Sequence, residues 1–326
     1  MKRKLISIFV TVSMLLSMSG CHTNPDPDLP EEPKQVVLLC ESLEDDSFLR
    51  SMAEPLEELL GEAQTAADYT VVECEHPEEM EEAALAKIQE GCDLLLMVGQ
   101  RYSEIMSHVA EQFPESTSYV LLDGVCENEN VGSYIFRMEE LAYLTGIVAA
   151  SVGTSEEFPH GPLGSIHVYQ DQNSFAWRWG YMEGARSVNP DLEMDDFHFA
   201  YTKSYDDKAA VKAAYNSLKD KGCRFINNDV PGTEQSHLIL RQVKMGDVMM
   251  RRVLEDFLND DLNLKIEDLG LKEDALNLMF AAEDLNTAPE DVVLTPEILT
   301  NVQEAAGLIK SGKLKLDVPL EEDYSF

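Results

Sequence analysis

The sequence predicts an α/β protein built of two Rossmann-like lobes with a hinged cleft between them. Two observations carry this. Short apolar runs alternate with helical patterns from about residue 36 to 153, and the same rhythm restarts after the Pro- and Gly-bearing break EEFPHGP (156–162). The runs are also continuously apolar rather than alternating, as parallel strands covered on both faces should be.

In chain order, VVLLC (36–40) precedes a helix near 47–61. YTVVEC (69–74) precedes PEEMEEAALAKIQEG (77–91), whose closing Gly is a stop signal. CDLLLMV (92–98) precedes a helix near 101–112. SYVLLD (118–123) ends in an Asp-Gly turn, and a strand near 131–136 leads into MEELAYLTGIVAASVG (138–153). After the break come LGSIHVY (163–169), a helix near 174–188, a strand near 197–201, a helix near 206–221 and CRFIN (223–227). HLILRQV (237–243), a helix near 245–258 and a mixed tail with a helix near 295–311 complete the chain. These runs place lobe one at 35–155 and lobe two at 156–258, with 259–326 expected to return to lobe one.

The first 34 residues belong to neither lobe. Lys2, Arg3 and Lys4 precede an apolar run from Leu5 to Met18, then Ser19-Gly20-Cys21. The run is too short to span a membrane and reads as a signal peptide over 1–20. A Cys directly after Gly is the pattern of a bacterial lipoprotein lipobox, with Met18 where Leu is usual. Cys21 is therefore the expected lipidation site, carrying palmitate-type acyl chains. The Pro-rich stretch 22–34 is a tether from the membrane to the folded part. The expected location is the cell membrane, lipid-anchored, on the extracytoplasmic face.

Charge excludes one class of partner. The chain has 25 basic and 61 acidic residues, a formal net charge of −36. Nucleic-acid binding needs a basic face, so no nucleic-acid partner is expected. The five cysteines beyond Cys21 form no C-x-x-C pair, so neither a zinc site nor a disulfide framework is read. No nucleophile elbow, H-E-x-x-H, P-loop or G-x-G-x-x-G is present. No catalytic residue, metal or cofactor is expected.

Aromatic and acidic residues recur at one edge of both predicted sheets. Asp45 and Phe48 follow the first strand, Asp123 ends SYVLLD, Asp171 and Phe175 follow HVY, and Asp229 follows CRFIN. Any one of these carboxylates alone is better explained as a helix cap or turn former, and each Phe as core. Their recurrence where parallel strands end suggests a ligand cleft. Aromatic faces and carboxylates suit a flat ligand with hydroxyl or N–H groups.

Four stretches resemble the BMP family, the PnrA-like basic membrane lipoproteins. DDSF (45–48) resembles its D-x-S-F. VGSYIFRMEELAYLTGIVAA (131–150) resembles its strand followed by E-x-x-Y-L-x-G-x-x-A-A. LGSIHVYQDQNSFAWRWGYMEGARSVNP (163–190) resembles its strand and F-x-x-G-[FY]-x-x-G-A-x-x-V-N-P. HLILRQVKMGDVM (237–249) resembles its Lys-bearing segment. The resemblance implies a type I periplasmic-binding-protein fold, an ABC permease as partner and a purine nucleoside as ligand. It further implies Asp45 and Phe48 in the lobe-one loop with Phe48 stacking on the base, and Asp123 on the base edge. Phe175 would be the second stacking face (Trp177 or Trp179 could serve). Asp229 would bind ribose, and Lys244 would pair with a carboxylate at the cleft.

The sequence departs from that pattern in two places. Leu49 stands where Asn often follows D-x-S-F. Between CRFIN and HLILRQV there is too little chain for a parallel crossover, which takes about a dozen residues or more, so lobe two is expected to lack one βα unit. That shortage motivates an alternative: a surface sensor or interaction lipoprotein on the same scaffold that has lost nucleoside binding.

Overall fold

The computed structural model describes residues 33–44, 46–61, 67–74, 76, 78–152, 162–204, 207–223, 225–228, 240–280 and 295–319. The expected signal peptide (1–20), lipidated Cys21, most of the tether, Asp45 and Asp229 lie outside these residues.

Six parallel strands form the first sheet. They are β1 (Lys34–Cys40), β2 (Ala67–Glu73), β3 (Leu94–Val98), β4 (Ser118–Leu122), β5 (Val131–Phe136) and β10 (Ile266–Leu269), in the order β10-β5-β4-β3-β1-β2. The continuous apolar runs have the cause expected of them. Along β1, Val36, Leu38 and Cys40 enter one core while Val37 and Leu39 enter the other. Helices α2 (Glu79–Gln89) and α3 (Ser103–Gln112) close the second of these cores, through Met80, Ile88, Met106 and Val109. Helix α1 (Ser47–Leu60) closes the first, through Leu49, Met52, Leu56 and Leu60.

A second sheet holds β6 (Leu163–His167), β7 (Phe197–Tyr201) and β8 (Phe225–Asn228), parallel, in the order β7-β6-β8. Its faces are covered by α5 (Gln172–Val188) and α6 (Lys208–Asp220). No fourth strand joins it among the described residues. Strand β9 (Leu240–Lys244) instead pairs antiparallel with β11 (Leu276–Phe280) as a separate ribbon.

The segment that follows β9 packs on the first sheet's core. Helix α7 (Gly246–Leu258), assigned to lobe two by its place in the sequence, lies against α1 and buries Met249, Met250, Val253 and Leu254 in the first core. Its apolar stripe showed that it had to be covered, but not by what. Strand β10 pairs with β5 in register Ile266↔Ser133 to Leu269↔Phe136. Helix α8 (Pro296–Lys310) adds Ile298, Val302, Ala305 and Ile309 to the same core.

Helix α4 (Met138–Val152) joins the two sheets. It is buried nearly all round, from Glu139 to Ala149, because it has core on both sides. Leu141, Leu144, Ile147 and Val148 enter the first core, and Ala142 and Ala149 enter the core under α5. The two helices meet backbone to backbone. A Cβ on Gly184 would stand 1.9 Å from the Tyr143 carbonyl oxygen, and one on Gly146 would stand 2.1 Å from that of Tyr181. At Gly180 the Glu139 carbonyl oxygen would be 2.4 Å away.

Charged groups fasten the start of α4. Arg137 Nε lies 2.9 Å from Glu139 and 3.2 Å from Glu140, and its Nη2 donates to the Leu316 carbonyl at 3.1 Å. The other Glu140 oxygen accepts the Leu271 N–H at 2.7 Å. Burial holds both carboxyls above the usual carboxylate range, opposed by these partners.

The cysteines Cys40, Cys74, Cys92, Cys126 and Cys223 are all free and buried. Burial pushes the Cys40 and Cys92 thiols up to about 12 and Cys223 to about 11.

Gly184→Ala should cost about 3 kcal/mol of stability in urea unfolding, because the new methyl meets backbone that cannot swing aside. Gly307→Ala in α8, where a Cβ would meet nothing within 4 Å, should instead gain about 0.5–1 kcal/mol. In a form starting at His22, a thiol-specific dye at pH 8 should label none of these five cysteines in the native state and all of them after unfolding.

Candidate functional site

Four side chains converge beyond the carboxyl ends of the first-sheet strands. Asp123 follows β4, Phe136 ends β5, Phe48 stands in the first turn of α1 after β1, and Lys244 ends β9. Local chemistry places each one. The Asp46 carboxylate caps α1 by accepting the N–H of Phe48 at 2.8 Å and of Leu49 at 3.1 Å. Leu49 then turns into the core while Phe48 stays half-buried at the rim. Asp123 has a φ of 54°, a left-handed conformation that Asp tolerates better than most residues. At Gly124 a Cβ would lie 2.9 Å from the backbone of Gln100, so this turn needs glycine second.

Lys244 is the centre of the group. Its ammonium lies 3.0 and 2.9 Å from the two carboxylate oxygens of Asp123. It also lies 5.8 Å from the ring centre of Phe48 and 5.6 Å from that of Phe136. The rings are 6.0 Å apart and inclined at 60°. An ammonium between two ring faces and a carboxylate is held by cation–π attraction and by a charge-assisted bidentate contact. The Lys244 and Asp123 side chains keep 32% and 24% of their surface exposed, so both remain open to a ligand.

Of the six ligand residues expected from sequence, the structure brings together Phe48, Asp123 and Lys244. Asp45 and Asp229 lie outside the described residues. Phe175 is completely buried, with the Arg178 guanidinium 5.9 Å from its ring centre. It offers no open face in this arrangement. Trp177 is also core, stacked 5.0 Å from Tyr181, while Trp179 is half-buried against the first core. Asp171 has the local explanation: its carboxylate accepts the Ser174 N–H at 2.9 Å as the N-cap of α5. Phe136 was missed. Its signal was available, since it is an aromatic residue at the carboxyl end of a strand, the criterion that singled out Phe48.

A parallel α/β sheet with a charged, aromatic rim at its strand ends offers a place where a small solute can be held. The comparisons agree. The model of the Bmp family, described as ABC transporter substrate-binding protein PnrA-like, matches residues 33–244, and the chain belongs to this family. It is a family of substrate-binding proteins, not of enzymes.

Basic membrane protein A2 of Borrelia garinii is 28% identical over 142 residues, covering 42% of this chain and 40% of that protein. The chain thus spans about two fifths of that relative's length. The ABC transporter nucleoside-binding protein BmpA of Lactococcus lactis is 24% identical over 231 residues, 68% of this chain and 63% of that one. An ABC transporter solute-binding protein of Aeropyrum pernix superposes with a TM-score of 0.67 at 22% identity, over 89% of this chain and 95% of that chain. That likeness gives the fold, the type I solute-binding fold. Among the described residues, no helix is long and apolar enough to cross a membrane.

The Asp123–Lys244 pair should show in a double-mutant cycle by urea unfolding. Asp123→Asn and Lys244→Met should each destabilise, and the double variant should lose about 1 kcal/mol less than their sum. Full additivity would mean that the two charges do not interact in solution.

Proposed function

We propose that this chain is the lipid-anchored, extracytoplasmic substrate-binding component of an ABC importer and that it closes its two lobes on a purine nucleoside. The observation that carries the reading is the Phe48–Phe136–Lys244–Asp123 group at the strand ends. Phe48 has a partly open ring face for a base. Asp123 accepts from N–H groups on the base edge, and Lys244 fixes the orientation of that carboxylate. The name of the Lactococcus lactis relative, nucleoside-binding, supports the ligand class. Asp45 would complete the lobe-one loop and Asp229 the ribose contact.

The second stacking face requires that Phe175, completely buried in this arrangement, be uncovered on binding. Cys21 would carry the lipid after removal of 1–20, and 22–34 would be the tether that lets the folded part reach a permease. Closure brings two half-sites together, so affinity depends on both lobes.

One observation favours a second reading, a sensor or interaction lipoprotein without nucleoside binding. Strand β9 does not extend the β7-β6-β8 sheet, and only residues 229–239 lie between β8 and β9.

Calorimetric titration of the form starting at His22 separates the two. Adenosine, guanosine, inosine and uridine are the ligands, with ribose as control. A nucleoside-binding protein should take at least one purine nucleoside at micromolar affinity or better, roughly −8 kcal/mol. Phe48→Ala should then weaken it about tenfold or more. No heat with any of them, from folded protein, would sink the nucleoside reading.

A further inference from the structure

The carboxyl edge of the first sheet carries a second polar group that the Asp123–Lys244 pair does not use. In the order β10-β5-β4-β3-β1-β2 the chain runs from β1 to β2 on one side and then returns to β3 on the other. Outside the carboxyl ends at such a reversal an open α/β sheet has its crevice. Glu41 follows β1, and the 3-10 turn Gln100–Tyr102 follows β3, so both border that crevice.

The two loops are joined through one oxygen. The Tyr102 hydroxyl donates to Glu41 Oε1, and Arg101 Nη1 lies 2.9 Å from the same atom. Tyr102 is 2% exposed, its ring packed in the core beneath α2 and α3, whereas the Glu41 side chain is 37% exposed. Burial and the Glu41 contact both hold the Tyr102 phenol well above its usual range, so it stays a donor. Fixing an exposed glutamate costs side-chain entropy, and an exposed ion pair returns little. The arrangement is explained if the exposed carboxylate is presented to a ligand.

This group also belongs to the same rim as Asp123. Gln100 Nε2 donates to the Val125 carbonyl at 3.0 Å, and the Val125 N–H donates to Gln100 Oε1 at 2.8 Å. With Gly124 packed on the Gln100 backbone, the loops after β3 and β4 are tied to each other.

We propose that Glu41 is a ligand-contacting specificity residue, presented by Tyr102 and Arg101, that accepts a hydrogen bond from an N–H or O–H donor of a neutral ligand and turns away phosphorylated ones. Tyr102 and Arg101 are positioning residues. The proposal rests on the nucleoside reading above. The shared chemistry is one donor on the ligand, which a purine ring N–H or a sugar hydroxyl can supply.

The test is calorimetric titration of wild type, Glu41→Ala and Tyr102→Phe with inosine, 1-methylinosine, 2′-deoxyinosine, 3′-deoxyinosine and inosine 5′-monophosphate. Melting temperatures establish that each variant is folded. Wild type should prefer inosine by about tenfold or more over one of the three donor-lacking analogues, and that analogue identifies the donor. Glu41→Ala should bring the same ratio near one and narrow the gap between inosine and its monophosphate. Tyr102→Phe should reduce the ratio part of the way, a change that a merely structural role would not produce. An unchanged ratio in Glu41→Ala overturns the proposal while leaving nucleoside binding in place. If wild type binds none of the inosine series, both the proposal and the nucleoside reading fall.

Discussion

The close crossing of α4 and α5 is the constraint on which the rest depends. Each helix belongs to a different sheet, and their backbones touch at Gly146, Gly180 and Gly184, where even a methyl group has no room. Such a contact cannot be adjusted by side-chain rotation. It fixes how the second sheet is joined to the first, because that sheet follows α4 in the chain and packs one face, through Leu163 and Phe197, on α5. Glycine in a helix costs about 0.5–1 kcal/mol relative to Ala, and here close packing offsets that cost.

The same region explains how the late part of the chain is held. Arg137 sits between β5 and α4 and reaches Glu139, Glu140 and the Leu316 carbonyl, while Glu140 takes the Leu271 N–H. Three segments distant in sequence therefore meet at the start of the helix that leads to the second sheet. Two buried carboxyls sharing one guanidinium are expensive unless each keeps a donor, and both do.

The binding edge follows from parallel strand order. Parallel strands end on one side, so the loops after β1, β3, β4 and β5 gather there whatever their sequence separation. An acidic chain of this charge needs cations at chosen points if carboxylates are to cluster. Lys244 serves Asp123 and Arg101 serves Glu41, each cation brought from a different strand end than its partner. Local capping takes other carboxylates, Asp46 and Asp171, out of contention. Acidic residues at strand ends thus divide into helix caps and rim groups, a division that spacing alone did not reveal.

Much of the architecture was legible in the chain itself. Continuous apolar runs marked β1, β3 and β4 because strands covered on both faces leave no polar alternation. The Asp-Gly turn after β4 and the Gly after α2, with a φ of 97°, marked bends that only a few residues adopt. The sequence by itself determined that there are two α/β sets, where their helices start and stop, and that aromatic and acidic groups recur at strand ends. Only the tertiary structure decided that α7 packs on the first core, that β9 pairs antiparallel with β11, and that the short, half-exposed β10 completes the first sheet. It also decided that Phe136 and Lys244 join Phe48 while Phe175 is buried. The reason is physical: periodicity records which face of an element must be covered, whereas the covering surface is chosen by packing between segments far apart in the chain.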